Sequence, residues 1–364
     1  LQPFGFKQQL QQLLPTRQEL LLLVMFLLIS WLLPVQDFLL ERRVLMQAIY
    51  RNLTGQIGSS EPPPVLLVPI DQDSIAIDNI GIPRPMPRSY ISRLIDRLSA
   101  LNARVIGIDF LLSRPQENND KQLAKSLRNA VQKQPFGTWF VFVELEDDSG
   151  QWLRIRPEIA SKNWSLYGDM RVVQGYMKLG GGEDYDLESL PFSYAIALAY
   201  KANFESPQAP LHPQLNSKKD FLSQVKIHIK KHRKQSYTSL FSPSSHYHPI
   251  TAFSYQIGQT WLHPIMDFSI PPDQVYQRLP AWQLLRSKRD TPKLRHLQQQ
   301  AVTIVPGGYL EAGVSREGQD NFPLPSAIAY WRNQPGSVDN SRIFTGGEAH
   351  AYMVHHFVTG RLVI

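Results

Sequence analysis

The 364-residue chain contains no cysteine. That excludes disulfides, thiolate metal sites and cysteine nucleophiles, and leaves the redox compartment undetermined. There is also no Walker-type phosphate loop, no G-x-S-x-G nucleophile elbow and no H-E-x-x-H helix, so the usual signatures of several hydrolase and nucleotide-binding classes are missing. Charged residues make up 19% of the chain and hydrophobic ones 43%, a balance that fits a globular protein rather than a disordered one. The formal charge of +7 is spread along the sequence instead of gathered in one stripe. It favours anionic neighbours such as phospholipid head groups and argues against a nucleic-acid partner. The length admits two average domains, or one large domain with an extra segment.

Long hydrophobic runs are scarce too; the one that matters here lies near the N-terminus. Leu20 to Leu33 is apolar except for Ser30. About 20 apolar residues are needed to cross a bilayer, so the run must recruit Pro34 to Leu40. We read residues 19–40 as a transmembrane helix, 1–18 as a cytoplasmic tail, and 41–64 as a juxtamembrane helix and linker. A cleaved signal peptide is the main alternative, since Lys7 and Arg17 give a basic lead, but no small-x-small cleavage site follows. Positive charge flanks the run on both sides, with Arg42, Arg43 and Arg51 beyond it, so charge alone decides no orientation.

The stretch from Val65 to Phe110 organises the rest. An apolar run, Val65 to Ile70, ends on Asp71, with Asp73 just beyond. A turn-rich segment, Gly81 to Arg88, leads into Tyr90, Ile91, Leu94, Ile95, Leu98 and Leu101 at helical spacing, and Val105 to Ile108 then runs apolar into Asp109. Strand, helix and strand at this spacing predict a right-handed βαβ unit. In an open parallel sheet, ligands bind outside the carboxyl ends of the strands. Asp71 and Asp109 are therefore expected on neighbouring strands facing one crevice, with Arg88 at the helix start to pair with an acid or hold an anion. Salt bridges and loop caps are the competing roles for these residues.

Further on, Asp120 to Val131 has a helical apolar face, Trp139 to Val143 a strand pattern, and Leu190 to Tyr200 a helix pattern. Arg171 to Leu179 reads as a strand, and Gly180-Gly181-Gly182 with Glu183, Asp184 and Asp186 as an acidic loop. Residues 205–264 look like an insertion. Its basic run, Lys226 to Lys234, suits either anionic lipid or a lysine-defended edge strand. His246, His248 and His263 lie there without a carboxylate at ligand spacing, so no metal is assigned. Val275 to Leu285 reads as containing a short helix. Ala301 to Val305 reads as a strand leaving through Gly307-Gly308, a tight exit in preference to a phosphate cradle.

Ile70-Asp71 at a strand end, Pro85-Met86-Pro87-Arg88 before a helix, Val105-Ile106-Gly107-Ile108-Asp109-Phe110, and Asp120-Lys121-Gln122-Leu123-Ala124 together resemble the second type of CHASE domain, the cyclases/histidine kinases associated sensory extracellular domain. The resemblance covers residues 36–145 well and 265–364 moderately. Gly346-Gly347-Glu348-Ala349-His350-Ala351 looks like the family's closing helix, where His350 is either a pocket residue or a packing residue. Asp184-Tyr185-Asp186 keeps part of a family turn without its glycine and arginine.

The resemblance implies an α/β fold, a mostly parallel Rossmann-like three-layer sheet with insertions preceded by one N-terminal transmembrane helix. It places the sensory domain, residues 65–364, outside the cytoplasmic membrane of a bacterium, in the periplasm. It also implies a homodimer and a cytoplasmic cyclase or kinase effector outside this chain, which starts at Leu1 like a fragment of a longer protein. The leading reading is a non-enzymatic sensor for an unknown small ligand, bound by Asp71, Asp73, Arg88, Asp109 and Asp120 with His350 behind them; any cofactor is unknown. A metal-dependent phosphoester hydrolase using Asp71 and Asp109 is the alternative, and a structural envelope module is the third.

Overall fold

Side chains alternate strictly between the two faces of the strands, and both faces are apolar. In the computed structural model, residues 16–56, 62–133, 135, 137–172, 175–178, 190–204, 211–231, 263–312, 320–335 and 341–361 are described. The strands are β1 (Val65–Ile70), β2 (Val105–Ile108), β3 (Trp139–Glu146), β4 (Trp152–Leu153), β5 (Leu166–Asp169), β6 (Tyr276–Arg278), β7 (Ala301–Pro306), β8 (Asn321–Pro323) and β9 (Ile343–Thr345). Seven of them form one sheet in the order β4-β3-β2-β7-β1-β6, with β5 also on β3; only the β3–β4 pairing is antiparallel, and β8 and β9 make a separate ribbon.

The helices are α1 (Arg17–Ser30), α2 (Leu33–Leu53), α3 (Gln72–Ile77), α4 (Arg88–Ala100), α5 (Glu117–Gln132), α6 (Phe192–Phe204), α7 (Phe221–Lys231), α8 (Ala281–Arg286), α9 (Ser326–Arg332) and α10 (Gly346–Thr359). Val65, Leu67, Val105, Trp139, Val141, Ala301 and Val305 turn to one face, against α6, α9, α10 and the Val44 and Ala48 side of α2. Leu66, Val68, Ile106, Phe140, Val302 and Ile304 turn to the other, against α4, α5 and α8. Each fully buried Val, Leu or Phe contributes about 1.5–3 kcal/mol of transfer free energy. The expected mixed α/β fold with a mostly parallel sheet is present.

Several local expectations change. β1 and β2 are not neighbours: β7 lies between them, paired in parallel with both. Its Ala301, Val302, Ile304 and Val305 are fully buried, and a strand apolar on both faces takes the doubly covered central slot. At the exit of β7, a Cβ on Gly307 would lie 2.8 Å from the Ile70 carbonyl and the Asp71 nitrogen. Close backbone approach is thus what the glycine is for, as expected of a tight exit.

The segment read as a strand from Arg171 is instead preceded by β5, which ends at Asp169; of that segment Tyr176 makes only an isolated bridge to Ile265. The edge-strand reading of the basic run is replaced by α7, because Phe221 and Val225, one turn apart, bury a helical stripe. Val275 to Leu285 divides into β6 and α8. The acidic loop after Gly180 and most of the 205–264 insertion, including His246 and His248, lie outside the described residues. His263 is buried, its Nε2 2.7 Å from the Met177 carbonyl oxygen.

Residues 19–40 do not form one continuous helix. α1 stops at Ser30 and α2 restarts at Leu33 with Pro34 in its first turn; a proline ring at that point clashes with the carbonyl four residues earlier. The 14 residues of α1 extend roughly 21 Å, short of a hydrocarbon core of about 30 Å. Among the described residues no helix is long and apolar enough to cross a membrane. α1 is nonetheless bare: Leu21 is 70% exposed, Phe26 67% and Leu28 65%.

Candidate functional site

The carboxyl ends of β1 and β2 carry the predicted acids Asp71 and Asp109, and each has a distinct role. Asp71 caps α3: its Oδ1 accepts from the Ser74 backbone nitrogen at 2.9 Å and the Ser74 hydroxyl at 2.7 Å. Arg278 approaches its other oxygen at 3.9 Å. Asp73 is exposed in the first turn of α3. Asp71→Ala is expected to cost about 1 kcal/mol, the usual loss for an N-cap, which a urea titration followed by circular dichroism would measure.

Arg88 does not reach Asp71 or Asp109. It is buried and gives Nε to Asp120 Oδ1 at 2.7 Å, while its backbone nitrogen donates to Gln116 Oε1 at 3.0 Å. Asp120 Oδ2 in turn accepts from the Gln116 nitrogen at 2.8 Å and from Arg156 at 3.3 Å. Arg88 and Asp120 therefore pin the start of α4 to the start of α5. His350 packs: its ring meets Phe192 edge-on at 5.1 Å, Nε2 lies 3.2 Å from the Met170 carbonyl oxygen, and burial pulls its pKa down to about 4. The geometry thus favours the packing reading of His350 over the pocket reading.

Asp109 is different. It follows β2 directly, its backbone nitrogen donates to the Ile304 carbonyl at 2.9 Å, and its side chain is buried. Its charge acts on Asp320, the residue just before β8 in a distant part of the chain. Among the described residues neither carboxylate forms an ion pair. Asp320 Oδ2 and the adjacent Asn321 Oδ1 are buried without a hydrogen-bond partner.

Burial pushes the Asp109 carboxyl up to about 7. Burial, then the facing Asp109 charge, holds Asp320 well above the ordinary carboxylate range. Burial and the like charge thus both disfavour ionisation of these two acids. The pair sits at the N-terminus of α10: the Gly346 nitrogen donates to the Asp320 carbonyl at 2.9 Å, and a Cβ at position 346 would lie 2.1 Å from Asp320 Oδ1. Tyr309, whose hydroxyl pKa is raised by burial and by Asp320, completes the surroundings.

Beside it lies a second buried polar group, in which the acid is ion-paired. Glu348 closes a capping box with Thr345, accepts from the Tyr276 hydroxyl at 2.6 Å and ion-pairs with Arg332. Arg332 also donates to the Ser341 and Ile343 carbonyls, both at 2.8 Å. This network joins β6, α9, β9 and α10.

The sequence profile of the CHASE2 domain matches residues 20–363. The chain belongs to the CHASE2 domain family. CHASE2 is an extracellular sensory domain type. No curated protein and no solved structure matches the chain. Within this CHASE2 domain, Asp320, Glu348 and Arg332 are the polar residues that sequence reasoning missed. Glu348 carried a legible signal, Thr345-x-x-Glu348 ahead of a helix. Asp320 carried none: a single acid before a short strand has no local pattern, and only the fold brings it to Asp109. Among the described residues no group of three or more His, Asp or Glu is arranged to hold a metal ion.

Proposed function

We propose that the chain is a membrane-anchored, extracytoplasmic sensory domain whose small ligand is read at the carboxyl edge of the sheet, with Asp109 and Asp320 as its polar contacts. Residues 1–18 are the cytoplasmic tail, the segment 19–40 enters the cytoplasmic membrane with its apolar run and comes out of it by Asp37, which meets Tyr176 of the domain, 41–64 leads on from it, and 65–364 form the periplasmic sensor. The sensor pairs with a second copy and feeds a cytoplasmic cyclase or kinase. Of the residues expected from the sequence, Asp109 keeps a ligand role; Asp71, Arg88, Asp120 and His350 hold the scaffold around it, and Asp73 stays at the rim.

The observation that carries this reading is a bare apolar helix followed, across the break at Trp31 and Leu32, by one seated on the core. Beyond its first turn α1 exposes Leu20 to Phe26, Leu28 and Ile29 to solvent, and α2 buries Val44 and Ala48 in the same layer as α10. Arg51 of α2 pairs with Asp267 at 3.1 Å, and the Asp267 nitrogen donates to His356 of α10 at 2.8 Å. A ligand that prefers one arrangement of the α10 start would therefore bias α2, and with it the membrane segment. No observation favours the hydrolase alternative, since β7 separates the strands that carry Asp71 and Asp109 and Asp71 is engaged as a cap.

The test is thermal unfolding of the chain in nonionic detergent, screened against small metabolites, inorganic anions and divalent cations, for wild type and Asp109→Asn. A compound that raises the midpoint of the wild type alone supports the reading, by mass action on the folded state. A compound that raises both midpoints equally, or none that acts, removes the edge pair from the function.

A further inference from the structure

A cavity of about 400 Å³ lies between the first turns of α2 and the body of the domain. It is distinct from the Asp109–Asp320 edge, and its volume falls in the range of small-molecule sites. Phe38 and Val44 of α2 form one apolar wall, and Phe268 and Leu324 of the body form the other. Two carboxylates stand in this lining, Asp37 and Glu41, one helical turn apart on the same stripe of α2.

Each carboxylate is anchored through one oxygen only. Asp37 Oδ1 accepts the Tyr176 hydroxyl at 3.1 Å. Glu41 Oε1 accepts the Ser326 nitrogen at 3.0 Å and the Ser326 hydroxyl at 2.6 Å. The second oxygen of each accepts nothing among the described residues. Neither acid forms an ion pair there: the nearby Arg42 guanidinium sits over the Phe38 ring instead, 5.1 Å from its centroid. Positioned acids with free lone pairs, set beside aromatic and aliphatic walls, match a ligand with one cationic end and an apolar body. A bare inorganic cation would leave the apolar walls unused, and an anion would meet two like charges.

We propose that this cleft binds a small organic cation, an alkyl- or arylammonium, with its charge on Asp37 and Glu41 and its apolar body between α2 and the loop carrying Leu324. Such a ligand touches α2 and the domain body at once, so its binding holds α2 in its seated position. That consequence for signalling rests on the sensor reading; the binding itself does not, and the two fail separately.

The experiment is isothermal titration of the chain in nonionic detergent with benzyltrimethylammonium. Benzoate serves as the anionic counterpart and benzyl alcohol as the neutral one. The Asp37→Asn/Glu41→Gln double variant preserves both anchoring acceptors and changes residues exposed to solvent, so it is expected to fold with an unchanged unfolding midpoint. Saturable binding of the cation to wild type, weakened about tenfold or more in the double variant, with no saturable binding of benzoate or benzyl alcohol, establishes the site. Equal affinity in wild type and double variant, equal binding of all three probes, or no saturable binding of the cation overturns it.

Discussion

Glu348→Ala is expected to destabilise the folded chain by about 3–5 kcal/mol, the usual cost of removing one partner from a buried ion pair. The substitution leaves the Arg332 guanidinium, 6% exposed, without its counter-charge. It also frees the Tyr276 hydroxyl and opens the capping box at Thr345. Replacing both partners, as Glu348→Leu with Arg332→Met, is expected to cost less than the sum of the two single changes, because no charge is then stranded in the core. Chemical denaturation of the four proteins in a double-mutant cycle measures this; additive single effects would mean that the two side chains do not act as a pair.

Asp320→Asn is expected to do the opposite above neutral pH and raise stability. A carboxyl whose folded pKa is raised binds more protons folded than unfolded between its two pKa values, so stability falls as pH rises through that window. For Asp109 the window runs from the ordinary 3.8 to about 7; for Asp320 it starts at the same place and extends upward from there. The amide removes one charge and relieves the other. The gain is expected to be largest above neutral pH and to shrink towards zero near pH 4.

Buried histidines act with the reverse sign. His350 and His355 are pulled down to about 4 by burial, and His356 to about 3 by burial and then by its neighbour His355. Their contribution is full above the ordinary 6.5 and is lost as pH falls from there towards the folded values. In wild type the two trends partly offset one another between about pH 4 and 6.5. In Asp320→Asn the histidine trend stands out, and the unfolding midpoint is expected to climb more steeply with pH across that interval. A midpoint-versus-pH series for both proteins decides it; identical profiles would show that the acid pair carries no penalty. A penalty of this kind is what a ligand or proton site costs its scaffold.

The strands and helices were legible wherever a period ran undisturbed. Leu66 and Leu67 point to opposite faces because side chains alternate along a strand, and the Tyr90 to Leu98 stripe repeats at helical spacing. In the segment 19–40 hydropathy was legible while the break between α1 and α2 was not. Pro34 sits close enough to the run to interrupt it, yet a proline in the first turn of a following helix is also favourable. Arg88 was expected to pair with Asp71 or Asp109 or to hold an anion; its partner is instead Asp120, in the first turn of the next helix.

The sequence by itself determined the family, the α/β alternation, the identity of the core faces and the placing of Asp109 at a strand end. Each of these follows from local period, turn chemistry or a motif confined to one stretch of chain. The tertiary structure alone decided that β7, roughly 200 residues after β2, enters between β1 and β2, that Asp320 becomes the partner of Asp109, and that Asp37 and Glu41 open into a cleft against the body. The physical reason is the same in all three cases. Periodicity states which face of an element is buried, whereas the neighbour on that face is chosen by packing among elements far apart in the chain.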